Sequence, residues 1–217
     1  MKLFVWDLHG TLEQGNEDAV VELSNIILEK YGYSERLDIK LGKKLYGLRW
    51  HEYFEYLLPN EPHERHLELQ ATSFDLSNLP EGTKIIASYI KPSRNALQVL
   101  KAVEDKHHQI VLSNTVPESL PMFLKALNML EFFDNNRALA VNQHTRESKR
   151  TKVDVLAEYT AEKNFEEIVV IGDSESDMAL ADAFNAKAYL YAHNGTPFRS
   201  EKGHYKINDL AELLSEI

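Results

Sequence analysis

The 217-residue chain has no cysteine, which excludes disulfides, thiolate catalysis and cysteine-based zinc or iron–sulfur sites. It has no apolar run approaching the roughly 20 residues that a membrane span requires. It also lacks any run of Lys or Arg: 24 basic residues stand against 34 acidic ones, for a formal charge of −10. Nucleic-acid backbones are held by clustered cations, so nucleic acid is not expected as a partner. No Gly-x-Gly-x-x-Gly follows a strand pattern and no Gly-x-x-x-x-Gly-Lys-Ser/Thr is present, so dinucleotide and Walker-type sites lack support. The N-terminus runs Met1-Lys2-Leu3-Phe4-Val5-Trp6 straight into Asp7, too short for the apolar stretch of a signal peptide. The expectation is a soluble cytoplasmic protein that binds neither membrane nor nucleic acid.

What is present points to an α/β core. Apolar residues make up 43% of the chain, enough for a packed interior. Its length suits one α/β domain, or a core carrying a smaller insertion. Leu3-Phe4-Val5-Trp6 runs into Asp7, Gln109-Ile110-Val111-Leu112 into Ser113-Asn114, and Ile168-Val169-Val170-Ile171 into Gly172-Asp173. Each run is short, with β-branched residues recurring, as buried parallel strands are. Ala186-Lys187-Ala188-Tyr189-Leu190-Tyr191 reads as a further strand. Between them lie helical stripes: Ala96, Val99, Leu100 and Val103; Val153, Leu156 and Tyr159; Met178, Ala181 and Phe184. Alternating strands and helices give right-handed crossovers and a doubly wound parallel sheet. Ligands of such sheets bind beyond the carboxyl ends of the strands, where all three polar tips lie.

Residues 14–82 break the rhythm. Val20, Leu23, Ile27 and Tyr31 form a stripe closed by Gly32; Trp50, Tyr53, Phe54, Leu57 and Leu58 form another closed by Pro59. Pro62 starts a third, through Leu67, Ala71 and Phe74. With no strand pattern among them, the expectation is a helical insertion at 14–82 within a core of residues 1–13 and 83–217.

The tips carry chemistry. A carboxylate at the end of the first strand, Asp7, can attack phosphorus and split one hard displacement into two. Gly10 permits the sharp turn that follows, where amides can face a phosphate. An ordinary strand ending in an Asp–Gly turn accounts for Asp7 equally well. In Gly172-Asp173-Ser174-Glu175-Ser176-Asp177, one carboxylate sits on a strand tip and the other in the first turn of the next helix. Hard oxygen ligands suit Mg²⁺, while helix capping is the simpler reading. Two carboxylates about 4 Å apart repel by roughly 4 kcal/mol at an effective dielectric of 20, so three converging ones call for a cation or protonation. Ser113 and Asn114 offer donors to phosphate oxygens. Lys152 stands at a helix start, able to aim its amine at the same edge, with Lys149 as rival and a surface lysine as the default for both.

Taken in order, these four pieces resemble the haloacid dehalogenase-like hydrolases. That family's first motif, Asp-x-Asp-Gly-Thr, is similar to Asp7-Leu8-His9-Gly10-Thr11, and its second to Leu112-Ser113-Asn114. The third is a lysine near a helix start, best matched by Lys152, and the fourth is similar to Gly172-Asp173-Ser174-Glu175-Ser176-Asp177. The resemblance implies a Rossmann-like core with a helical cap at residues 14–82, and Asp7 as nucleophile. It further implies Mg²⁺ held by Asp7, the His9 backbone carbonyl and Asp173, with Asp177 assisting through water or by orienting the lysine. The substrate class it implies is a small phosphorylated metabolite. Tyr46-Gly47-Leu48-Arg49-Trp50 is similar to the substrate-contacting loop of phosphoglycolate phosphatase and β-phosphoglucomutase relatives, which makes Gly47, Leu48 and Arg49 candidate substrate contacts. A planar guanidinium at Arg49 suits an anionic group, and a solvated helix residue is its plain alternative.

One position departs from the pattern. Family phosphatases carry Asp where this chain has His9, and that Asp protonates the leaving group and then activates water. Histidine can do both near neutral pH, though as a cation it repels a metal ion. The expectation is a phosphatase with His9 as acid/base. A phosphomutase of the same fold, or a weakened binding or regulatory protein in which His9 is the lesion, stand as alternatives.

Overall fold

The computed structural model describes residues 1–134, 136–142 and 150–217. It divides into two compact units, one of Met1–Gln14 with Lys91–Ile217 and the other of Gly15–Ile90.

The first unit holds a six-stranded sheet among the described residues, every neighbouring pair parallel, in the order β5-β4-β1-β6-β7-β8. The strands are β1 Leu3–Trp6, β4 His108–Ser113, β5 Ala138–Ala140, β6 Ile168–Gly172, β7 Lys187–Tyr191 and β8 Tyr205–Ile207. A separate antiparallel pair joins β2 Glu13–Gln14 to β3 Lys91–Pro92 within this unit. Helices α6 Ala96–Glu104, α7 Leu120–Ala126, α8 Lys152–Thr160 and α9 Glu175–Ala183 connect the strands.

Both faces of the sheet are buried, and β1 shows how its alternation is used. Leu3 and Val5 join a core cluster with Val155, Leu156, Met178 and Ala181 from α8 and α9. Phe4 and Trp6 point the other way. There the Trp6 indole N–H donates to Gln109 Oε1 at 3.2 Å, and Gln109 Nε2 donates to the Leu100 carbonyl of α6 at 3.0 Å. Trp6 and Gln109 are fully buried, so this chain of bonds satisfies polar atoms that would otherwise destabilise the interior.

The four expected strands are present, and the fold class is the expected one. Strands β5 and β8 are three residues each, too short to leave a periodic signal. On α8 the buried face is Lys152, Val155 and Leu156, while Val153 and Tyr159 pack only partly against the core.

The second unit is wholly helical: α1 Asn16–Lys30, α2 Ile39–Leu45, α3 Trp50–Leu57, α4 His63–Asn78 and α5 Pro80–Tyr89. It ends at Ile90 rather than at residue 82, because Pro80 starts a fifth helix that packs against α1 and α4. Gly15 makes this closure possible: its φ is 99°, and a Cβ there would lie 2.3 Å from the Tyr89 carbonyl oxygen. The buried face of α4 also differs from the expected Leu67, Ala71 and Phe74 stripe. It consists of His66, Leu69, Gln70, Ser73, Leu76 and Ser77. The polar members are admitted because they are bonded: His66 Nε2 to the Leu58 carbonyl at 2.9 Å, Ser73 Oγ to the Leu69 carbonyl at 2.8 Å, and Gln70 Oε1 from the His51 amide at 3.0 Å. Among the described residues, no helix is long and apolar enough to cross a membrane.

Replacing Gln109 by Met keeps its volume but strands the Trp6 N–H and removes the second donor to the Leu100 carbonyl. Chemical denaturation should show a loss of about 1–3 kcal/mol. An unchanged midpoint would mean that the bond chain contributes nothing.

Candidate active site

Three adjacent strands, in the order β4-β1-β6, end in polar residues at one edge of the sheet. Asp7 follows β1 directly, and its amide bonds the Ile171 carbonyl of β6 at 2.9 Å. That tie brings Asp7 beside Gly172 and Asp173. After Asp7 the chain turns sharply: the amides of Thr11, Leu12 and Glu13 all bond the Leu8 carbonyl, at 3.3, 3.0 and 3.1 Å. Gly10 has φ 83° at the centre of this turn, a conformation that a side chain would strain.

Lys152 closes the site from below. It is the first residue of α8, whose start is set by a capping box: the Asp154 carboxylate accepts the Thr151 amide at 2.8 Å, and Thr151 Oγ1 accepts the Asp154 amide at 3.3 Å. The buried ammonium of Lys152 donates to Asp7 Oδ1 and Asp177 Oδ1, each at 2.6 Å. Lys149, the rival candidate, lies outside the described residues.

Asp177 is 1% exposed and spends both oxygens on the protein, Oδ1 on Lys152 and Oδ2 on the Ser174 hydroxyl at 2.5 Å and amide at 3.2 Å. Gly172 makes room for it, since a Cβ at that position would sit 2.2 Å from Asp177 Cγ. The residue that caps α9 therefore also grips the lysine.

Oxygens of Asp7, Asp173 and Asp177 lie within 4.8 Å of one another, all buried. Burial pushes the Asp7 carboxyl up to about 7; Lys152 opposes the rise, and the charges of Asp177 and Asp173 add to it. Burial likewise raises Asp173 to about 6, with the Arg199 guanidinium opposing and Asp177 adding. Burial alone would lower Lys152, but the Asp177 and Asp7 carboxylates outweigh it and hold its proton more tightly than usual. These directions agree, because Lys152 faces two carboxylates, whereas Asp7 faces one cation and two further carboxylates. A cluster of buried hard oxygens, whose ionised forms burial first and mutual repulsion second disfavour, has the donor chemistry of a small divalent cation site. Asp7 and Asp173 are its first candidates for direct contact, with Asp177 holding the lysine.

Ser113 ends β4 in a buried position, its Oγ accepting the Thr115 amide at 3.2 Å, and the side-chain oxygen of Asn114 is buried without a partner. His9 bonds Glu13 through Nδ1 at 2.9 Å and meets Phe123 edge-on, with ring centroids 4.6 Å apart. Gly47, Leu48 and Arg49 belong to the helical unit, in the turn between α2 and α3, and all three are partly or fully exposed there. Two site residues escaped the sequence reading. Arg199 donates to Asp173 Oδ2 at 2.6 Å from a loop with no motif around it. Glu13 is an acid with no exposed side-chain surface, and nothing in its neighbours announces that burial.

The raised acids generate a pH signature. Asp7 and Asp173 favour folding while protonated, a contribution complete below about pH 4 and lost as pH climbs through about 6 and 7. In thermal melts, metal-free protein should lose stability through this cluster between pH 5 and 8. Saturating divalent cation should restore it at pH 8 and do little at pH 5; equal responses at both pH values would contradict the site. Separately, Gly172→Ala should destabilise by about 1–3 kcal/mol in urea, and much less when Asp177 is already Ala.

A family model for haloacid dehalogenase-like hydrolases matches residues 1–185. No curated protein sequence matches the chain significantly. Among solved structures, a haloacid dehalogenase-like family hydrolase from Streptococcus pneumoniae superposes with TM-score 0.75 at 15% identity, covering 99% of this chain and 97% of that one. A predicted phosphatase from Clostridium acetobutylicum gives 0.74 at 19% identity, with 99% and 97% covered. A predicted phosphoglycolate phosphatase from Haemophilus somnus gives 0.76 at 16% identity, with 99% and 96% covered. These structural likenesses speak for the fold; the match over most of the sequence goes further, and by it the chain belongs to the haloacid dehalogenase-like hydrolases.

Proposed function

We propose that the protein is a Mg²⁺-dependent phosphatase that cleaves a small phosphomonoester through an aspartyl-phosphate on Asp7. The observation that carries this reading is the Asp7 carboxylate held at 2.6 Å by buried Lys152, beside Asp173 and Asp177, at the carboxyl edge of the sheet. One Asp7 oxygen attacks phosphorus while the bond to the leaving oxygen breaks, and His9 gives that oxygen its proton. His9 then takes a proton from water, which attacks the phosphoryl group and frees Asp7 and inorganic phosphate. The Lys152 ammonium, the Ser113 hydroxyl, the Asn114 amide and the turn at Gly10 are the groups for the phosphoryl oxygens. A bound Mg²⁺, held by Asp7, the His9 carbonyl and Asp173 with Asp177 supporting, would neutralise charge on the transferring group. The cap role of the helical segment, and substrate contacts by Gly47, Leu48 and Arg49, rest on the sequence resemblance alone.

The test is phosphate release from p-nitrophenyl phosphate and a panel of phosphorylated metabolites. Release should need Mg²⁺, vanish with EDTA, and vanish in Asp7→Asn. His9→Ala should fall by about 10² to 10⁴ in turnover, the usual worth of a placed acid/base. Turnover restored or raised in His9→Asp, with no histidine signature in the pH profile, would count against that role for His9. Tight ligand binding without release by the native chain would favour a binding module.

A further inference from the structure

Glu13 is an unusual residue to bury. Its side chain has no exposed surface, one carboxylate oxygen lies 2.9 Å from His9 Nδ1, and the other has no hydrogen-bond partner. Burying a carboxylate is strongly unfavourable unless a donor or cation meets it, and among the described residues His9 is the group that does. The same turn that places His9 after Asp7 carries Glu13 back to it: three amides gather on the Leu8 carbonyl, and His9 and Glu13 form a β-bridge. Phe123, edge-on to the imidazole, restrains the ring from another side. His9 keeps 21% of its side chain exposed, so the ring is anchored at Nδ1 and still open to solvent.

A carboxylate accepts and does not donate, so the imidazole nitrogen facing Glu13 carries the hydrogen. With Nδ1–H committed to Glu13, Nε2 is the nitrogen left for proton exchange. The arrangement also rationalises histidine at this position, since an aspartate at 9 would put a second carboxylate against a buried, half-unpaired one. We infer that Glu13 is a positioning residue, fixing the His9 tautomer and ring so that Nε2 gives a proton to the leaving oxygen and then takes one from water. Glu13 supports the imidazolium through Nδ1–H without itself accepting the proton, and the cycle returns His9 to its starting state. This inference rests on His9 being the acid/base.

The experiment is a double-mutant cycle on p-nitrophenyl phosphate with Mg²⁺, using Glu13→Gln, His9→Ala and the pair. Glu13→Gln should lower kcat by about 10- to 100-fold, the scale on which partners that orient a working histidine act, with KM within about twofold. In the His9→Ala background the same change should cost no further turnover. Native kcat in Glu13→Gln, or an equal loss in both backgrounds, would overturn the inference and leave Glu13 merely structural. If His9→Ala itself turns over normally, the acid/base reading fails first, which separates the two failures. Should Glu13→Gln not fold, or turnover be absent, ¹⁵N NMR of the native protein decides: neutral His9 protonated at Nδ1 is expected, and a neutral ring protonated at Nε2 would refute the positioning role.

Discussion

The Lys152 ammonium, lodged between Asp7 and Asp177 with 2.6 Å to each, holds the carboxyl edge of this sheet together. Three buried carboxylates share so small a volume only with positive charge or a proton among them, and Lys152 and Arg199 supply part of the charge. Everything near them serves that contact. The capping box at Thr151 fixes where α8 begins, and so where the amine emerges. Ser174 turns Asp177 by its other oxygen, and Gly172 leaves the space in which that carboxylate lies. The amide of Asp7, bonded to Ile171, holds the third corner.

The contact also balances reactivity against stability. In the proposed reaction an ionised Asp7 would be the better nucleophile, yet burial and neighbouring acids push it towards the neutral form. Two cations against three acids leave a deficit, which a divalent ion would convert from a source of strain into binding affinity.

Much of this was legible in the sequence because it follows from short-range rules. Apolar runs ending in Asp7, Ser113 and Asp173 named three strands and the edge they share, while helix-start spacing left Lys152 and Lys149 as rivals and only the family resemblance favoured Lys152. What stayed hidden depends on contacts between distant or irregular segments. Arg199 reaches Asp173 from a loop, and Glu13 is drawn inside by a turn whose only visible sign was Gly10. The α4 face was misread because His66, Gln70 and Ser73 pass for surface residues until their bonding partners are known. Asp177 was legible in two ways, as a cap and as a candidate site residue, and the structure shows it capping α9 while bonding Lys152.

The sheet order has a consequence for how the chain is born. Strand β1 emerges first from the ribosome but pairs with β4 and β6, and Trp6 meets Gln109 across 103 positions. Until those partners are synthesised, Leu3-Phe4-Val5-Trp6 has no sheet to enter. The helical unit of Gly15–Ile90, whose first helix packs against its last two, is complete in sequence before β4 is made. The nascent chain therefore carries an unpaired apolar strand until β4 and β6 follow it, and slower elongation lengthens the exposure of residues that end fully buried.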